Sequence, residues 1–482
     1  GQDLLEGFVN GKRVRVQDLR QYGVHGVKGP LSSPNAEPML YSGLTGLHDL
    51  SGRGVVLFFD ENEKSFVSFR RRPSLRVKRA ANLMRRFVDA CMTGVVRGVV
   101  AVFAVLPDFL ENCAQAYPAL GQRLETDLLY EKTDRFMLWG SFVSYKLGGE
   151  PRVDYSLANR TLLFDLAGER WSDRMLAAGG IDREKLPEPV PARKRIGTVS
   201  SQMPKELGLP KETAIVMGAH DQCANSVGAG SVEPGMAMYG MGTFPTITPV
   251  YNTRPETQAM LELGLNTEHH AIPGLWVSFI YHMGGASIKW FRDHVAGSSD
   301  ASYEELFREM PDQIGPVLVL PHFAPMGPPD YIADSTGVVV GLTTETNRGD
   351  ILRGIIEANA LALKRVVRGL PGIGVNLDQL RTVGGGSRSP EALQINANIL
   401  DAAVVRPAVD EAGSLGAAIL AGAGVGRFSS AAEAASALVK IEQTVEPEPK
   451  AVERYAELFE QYEELRKLVV PFTQDWTRRK LG

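Results

Sequence analysis

The sequence predicts a layered α/β architecture in two domains, on three observations. Short β-branched runs alternate with stretches of helical periodicity, the pattern of strands laid against covering helices. Glycine, 50 residues of it, recurs at the ends of those runs, where strands feed tight turns. The chain has 482 residues, more than one hydrophobic core ordinarily supports.

Taken in order, apolar runs at 214–217, 317–321, 338–341 and 403–405 are bounded by Gly, Pro or charge and predict buried strands. Apolar residues at helical spacing predict helices over 349–370, 389–400, 413–423 and 450–470. Gly228, Gly230, Pro234 and Gly235 punctuate the chain after the 214–217 run. A domain boundary at 231 follows, giving 1–231 and 232–482. No repeat with the roughly 20–50-residue period of solenoids or propellers is present in the sequence.

Composition narrows the function classes. A net charge of -4 supplies no field to gather nucleic acid or anionic membrane, so neither is expected as a partner. Three cysteines (Cys91, Cys113 and Cys223) argue against a disulfide framework and for a reducing, cytoplasmic setting. The start lacks a basic region followed by an apolar run, and no apolar stretch approaches the length of a membrane span. Between 70 and 86, eight basic residues from Arg70 to Arg86 occur without one acidic residue. Aromatic interleaving is sparse there, so a solvated basic face is expected rather than a stacking platform for nucleic acid.

Three segments carry chemistry. Asp221 stands where the 214–217 run ends and a glycine-rich loop begins, with Gln222 beside it. A hydroxyl is a poor nucleophile at neutral pH, and a placed carboxylate can accept its proton. His220 and Asp221, if they continue the strand, point to opposite faces and do not meet. Gly240-Met241-Gly242-Thr243 reads as a turn whose glycines let backbone N–H groups approach anionic oxygens, with the Thr243 hydroxyl as a further donor. Gly384, Gly385, Gly386 and Ser387 join a strand to a helix, presenting free N–H groups and the positive helix end to phosphates. The segment is neither a Walker loop nor a dinucleotide fingerprint, because the required Lys and acidic residue are missing. One base and two backbone cradles are what phosphoryl transfer from a nucleotide to a hydroxyl requires.

Over about residues 130–470 these segments resemble the FGGY family of carbohydrate kinases. The resemblance implies two ribonuclease-H-like (actin-like ATPase) domains flanking a catalytic cleft. It also implies ATP-dependent transfer of the γ-phosphate, with Mg2+, to a hydroxyl of a small sugar, a ketopentose such as xylulose or similar, and by analogy a homodimer. By resemblance Asp221 is the general base, and Gln222 and Arg53 contact the sugar. Gly242 and Thr243 lie against the transferred phosphate. Gly384, Gly385, Gly386, Ser387 and Asn396 hold the nucleotide. Gly413, Gly416, Ala417 and Ala421 pack a closing helix on the nucleotide-site strand, and 154–165 is chiefly scaffold. Before residue 130 the chain departs from the pattern. The opening D-x-G-T is reduced to Asp3, the candidate magnesium ligand, and the expected W-x-D-x-R reads Phe69 followed by Arg70, Arg71 and Arg72. A second reading therefore stays open: a catalytically impaired sugar- or nucleotide-binding homologue, or a chain whose N-terminal third is translated in a shifted frame.

Overall fold

The structure, a computed structural model, describes residues 55–59, 99–103, 130, 133–200, 208–210, 212–282, 284–297, 302–324, 326–332 and 334–481. By compactness the chain divides into Gly1–Lys132 and Thr133–Gly482. Of the first unit, strands β1 (Val55–Phe59) and β2 (Val99–Phe103) pair in parallel, with Val55 opposite Val99. Asp3, Arg53 and the basic run at 70–86 lie outside the described residues. Residue 231 falls inside the second unit.

That second unit is built in chain order around one large sheet. Helix α1 (Tyr155–Asn159) is capped by Asp154, whose side chain accepts from Leu157 N. Strands β3 (Arg195–Thr198) and β4 (Ala214–Val216) pair antiparallel, and α2 (Asp221–Gly228) follows after four residues. The hairpin β5 (Gly235–Gly240) and β6 (Thr246–Tyr251) places Gly240 opposite Thr246. Short strands β7 (Glu268–His269), β8 (Trp276–Val277) and β9 (Ile280–Tyr281) extend the antiparallel meander before α3 (Gly284–His294). Next come α4 (Arg348–Val367), β10 (Leu377–Val383), α5 (Pro390–Leu400), β11 (Ala403–Pro407), α6 (Ala412–Gly424), β12 (Ile441–Val445) and α7 (Pro449–Leu481). The sheet order is β7-β8-β6-β5-β10-β11-β12, with β9 also on β6. Strand β10 runs parallel to β5 and to β11, so an antiparallel meander continues into a parallel pair joined by α5.

Side chains alternate across this sheet. Ala237, Tyr239, Ile247 and Leu380 pack with Leu363 of α4 and Leu393 of α5, whereas Met238 and Val383 meet Ala412 at the start of α6. Burial on both faces explains why the strands read as continuous apolar runs and not as apolar–polar alternation. Helix α4 is tied to α7 by a buried network in which Arg353 Nε donates to Glu357 Oε1 at 2.8 Å and Arg353 Nη2 to the Tyr455 hydroxyl at 2.9 Å.

Two predicted elements differ from expectation. Leu318–Leu320 and Val338–Val340 do form, but as a separate antiparallel pair, and Val340 is 41% exposed because that strand lies at an edge. The 450–470 helix continues through Pro471 to Leu481. Proline frees the carbonyl four residues back, and both Pro471 and Lys467 are exposed, so water can satisfy it.

Helices α2 and α6 meet backbone to backbone. A Cβ on Gly228 would lie 1.8 Å from the Ala412 carbonyl oxygen, and one on Gly416 1.9 Å from that of Ala224. Glycine is therefore obligatory at both places for steric reasons. This corrects the expectation for the small residues of α6: Gly413 and Gly416 pack on the helix that begins with Asp221, not on the nucleotide-site strand, and Ala417 and Ala421 are exposed.

Candidate active site

Asp221 is the first residue of α2, a position where the helix dipole favours an anion, and its side chain is 76% exposed. Its Oδ1 accepts from Gln222 N at 2.6 Å and lies 3.1 Å from His220 Nε2. The expectation that His220 and Asp221 face apart is thus overturned. The strand stops at Val216, and at a helix start successive side chains turn by roughly 100° instead of 180°. Burial lowers the His220 pKa against the opposing pull of Asp221, so the imidazole meets the carboxylate in its neutral form.

The loop carrying this pair is anchored from behind. His220 N donates to Ser156 Oγ at 2.8 Å, and Ser156 in turn donates to Asp154 Oδ2. Asp154 is wholly buried, and desolvation raises its carboxyl to about 6 despite the donors from Ser156 and Leu157. Hence part of the 154–165 segment supports the site directly.

Asp221 and Gln222 line a concavity of about 640 Å³ together with Arg160, Asn266, Phe279, Tyr281, Tyr331 and Thr246. Tyr331 is held over it by a 2.9 Å bond from its hydroxyl to Gly264 O. Sequence reading singled out neither Arg160 nor the two tyrosines. Arg160 lies within the quoted 154–165 segment, but Tyr281 and Tyr331 sit in no recognisable motif.

A second concavity, of about 770 Å³, gathers Gly242, Thr243, Gly285, Gly385, Gly386 and Ser389 with Tyr303, Phe307 and Arg308. Three loops are stitched to make it. Met241 N donates to Val383 O at 2.8 Å, Gly386 N to Met241 O at 2.9 Å and Gly285 N to Thr243 O at 3.1 Å. Gly384 has a φ of +91°, the left-handed region that admits glycine most readily. A Cβ on Gly285 would sit 2.4 Å from Gly242 O, so that glycine is needed for the close approach. Gly242 and Gly385, by contrast, face open space. Their bare backbone is what an anionic ligand could approach.

The remaining predicted residues stand apart. Ser387 is buried, and its hydroxyl donates to Gly384 O at 2.7 Å, bracing the turn from inside. Asn396 is also buried and lines neither concavity: its amide donates to Ala392 O at 2.8 Å and accepts from the Tyr239 hydroxyl at 2.8 Å. Both ends of that side chain are committed, so Asn396 joins α5 to β5 and is corrected here from a nucleotide contact to a brace. Cations missed in the sequence, Lys289, Arg308 and Arg388, line the second concavity, paired with Asp293, Glu304 and Asp410. All three are exposed, and such pairs are held weakly enough to re-pair with phosphate. For magnesium, the described lining residues offer two carboxylates, Glu304, which accepts from Arg308, and Glu391, which accepts from Ser389 Oγ at 2.7 Å. Asp3, the candidate ligand, lies outside the described residues.

One hairpin contributes to both concavities. Residues 241–243 of the β5–β6 turn border the second, and Thr246, where β6 begins, borders the first.

Comparison with known proteins places this arrangement. Residues 124–228 match the N-terminal domain of the FGGY family of carbohydrate kinases, and residues 256–425 match its C-terminal domain. A glycerol kinase of Thermococcus gammatolerans is 32% identical over 363 residues, 74% of this chain and 69% of that protein. A xylulose kinase of Staphylococcus epidermidis is 26% identical over 355 residues, 72% of this chain and 70% of that protein. The chain spans 61% and 64% of the length of the glycerol kinases of Shewanella piezotolerans and Nitratidesulfovibrio vulgaris. Among solved structures, the xylulose kinase of Rhodospirillum rubrum superposes with a TM-score of 0.64 at 24% identity, covering 76% of this chain and 72% of that one. Plasmodium falciparum glycerol kinase with ADP gives 0.62 at 21% identity, covering 75% and 71%. The fold is the actin-like one of these kinases, and the chain belongs to the FGGY family of carbohydrate kinases.

Proposed function

We propose that this chain transfers the γ-phosphate of ATP to a hydroxyl of a small neutral sugar or polyol, a ketopentose such as xylulose being the first candidate. The observation that carries the reading is the pair of concavities lined by the β5–β6 hairpin, one holding an exposed carboxylate and the other bare glycine backbone. In the step itself, Asp221 accepts the proton of the acceptor hydroxyl. The acceptor oxygen bonds to the γ-phosphorus as the bond from that phosphorus to the β,γ-bridging oxygen breaks, and ADP leaves with that oxygen. Gln222 orients the acceptor. Backbone N–H groups at 242–243 and 385 and the N-terminus of α3 meet the phosphates. Magnesium, were it held by Asp3, the candidate ligand, would supply positive charge that offsets the charge developing on the transferred phosphate.

Coupled ADP release over pentuloses, hexuloses and glycerol tests the reading. Acceptor-dependent release with at least one of them is expected. ATP binding without release above background hydrolysis for every acceptor would favour the impaired homologue. A variant addresses the second concavity: Gly242→Val fills open space without forcing a positive φ. It should raise the KM for ATP about 10- to 100-fold and leave the acceptor KM near wild type, as read from the same assay with each substrate varied in turn.

A further inference from the structure

Arg160 ends α1 and contributes its guanidinium to the wall of the concavity that holds Asp221. Its Nη1 donates to Glu268 Oε1 at 2.6 Å. Glu268 is 3% exposed and also accepts from the Asn266 amide, so its position is set by the interior. The guanidinium carbon lies 5.6 Å from the centroid of the Phe279 ring, which backs the group on one side. Of the five N–H donors of an arginine, Glu268 takes one. Nε and Nη2 make no hydrogen bond to a described residue, and the side chain is 47% exposed. A planar fork held on one arm and backed by a ring presents its remaining donors at a fixed angle.

We propose that Arg160 is the residue that reads the acceptor, its free N–H groups binding two neighbouring oxygens of a neutral polyol or ketose, with Glu268 as its positioning residue. The proposal rests on the reading of Asp221 as the base of this concavity. Charge selects the neutral class. Among the described groups the wall offers one cation, Arg160, against the Asp221 carboxylate, and Glu268 already offsets that cation from behind. His220, held neutral by burial, adds no positive charge. A sugar acid would therefore bring its carboxylate toward Asp221 without a spare cation to receive it.

The test compares Arg160→Met, Arg160→Lys and Glu268→Gln with the parent chain, using glycerol, xylulose and gluconate at saturating ATP. Arg160→Met keeps bulk and removes the fork; its KM for the neutral acceptor should rise about 10- to 100-fold, with kcat less affected and the KM for ATP unchanged. Arg160→Lys keeps the charge but not the fork and should behave like Arg160→Met. Glu268→Gln keeps an acceptor for Nη1, and its acceptor KM should rise by less than in Arg160→Met. Thermal shift with glycerol or xylulose reads the same contrast without turnover. An unchanged acceptor KM in Arg160→Met, full rescue by Arg160→Lys, or a parent chain that prefers gluconate would each overturn the proposal. If Asp221→Asn retains turnover while Arg160→Met still loses acceptor affinity, the base assignment falls and the acceptor contact stands. Loss in Asp221→Asn alone removes only Arg160.

Discussion

Asp221→Asn is expected to lower kcat by about 10²- to 10⁴-fold while leaving the KM for ATP close to that of the parent chain. The amide is nearly isosteric and can still accept the Gln222 N–H, so α2 should begin as before. What it cannot do is take the hydroxyl proton, and a neutral hydroxyl attacks phosphorus poorly. Nucleotide affinity should survive because Asp221 borders the acceptor concavity and not the glycine-lined one. Coupled ADP release with acceptor and ATP varied separately measures both constants. Turnover within tenfold of the parent would remove Asp221 from the role.

The second large effect is structural. Gly416→Val should cost on the order of 3 kcal/mol or more, since a Cβ there would stand 1.9 Å from the Ala224 carbonyl oxygen. The obstacle is backbone, so no side chain can swing aside, and α2 and α6 must separate. Because α2 begins with Asp221, the same change should depress kcat in whatever fraction remains folded. Urea unfolding monitored by circular dichroism gives the stability difference. Ala417→Val, one residue on and exposed, should stay within about 0.5 kcal/mol. Equal midpoints for the two variants would contradict the crossing.

Much of this was legible in the sequence, for reasons that can be traced. Gly384 to Gly386 announced a strand-to-helix bend because three successive glycines have few other uses, and β10 and α5 flank them as expected. Asp221, the proposed base, stood out through its placement after an apolar run. What pattern reading could not supply was the third dimension. It took His220 and Asp221 as strand neighbours, whereas the strand ends four residues before α2 and the change of local geometry brings them together. It credited Asn396 with a nucleotide contact because the residue lies in the right segment, but helix phase turns that amide inward to Tyr239. It missed Tyr281 and Tyr331 because the concavity draws them from a strand end and from a separate turn, and no local pattern marks such an assembly.

The β5–β6 hairpin has one more consequence. Its turn borders the concavity proposed for ATP and its second strand starts in the one proposed for the sugar, so five residues, 241–245, join the two. A nucleotide bound against this turn would fix the backbone that leads into Thr246, and part of the ordering cost would then already be met when the sugar arrives. Synergy of this kind must be mutual: whatever factor ATP lends to sugar affinity, the sugar must return to ATP. Titrating each ligand calorimetrically in the presence of the other, with a non-hydrolysable nucleotide, should find the same factor from both directions.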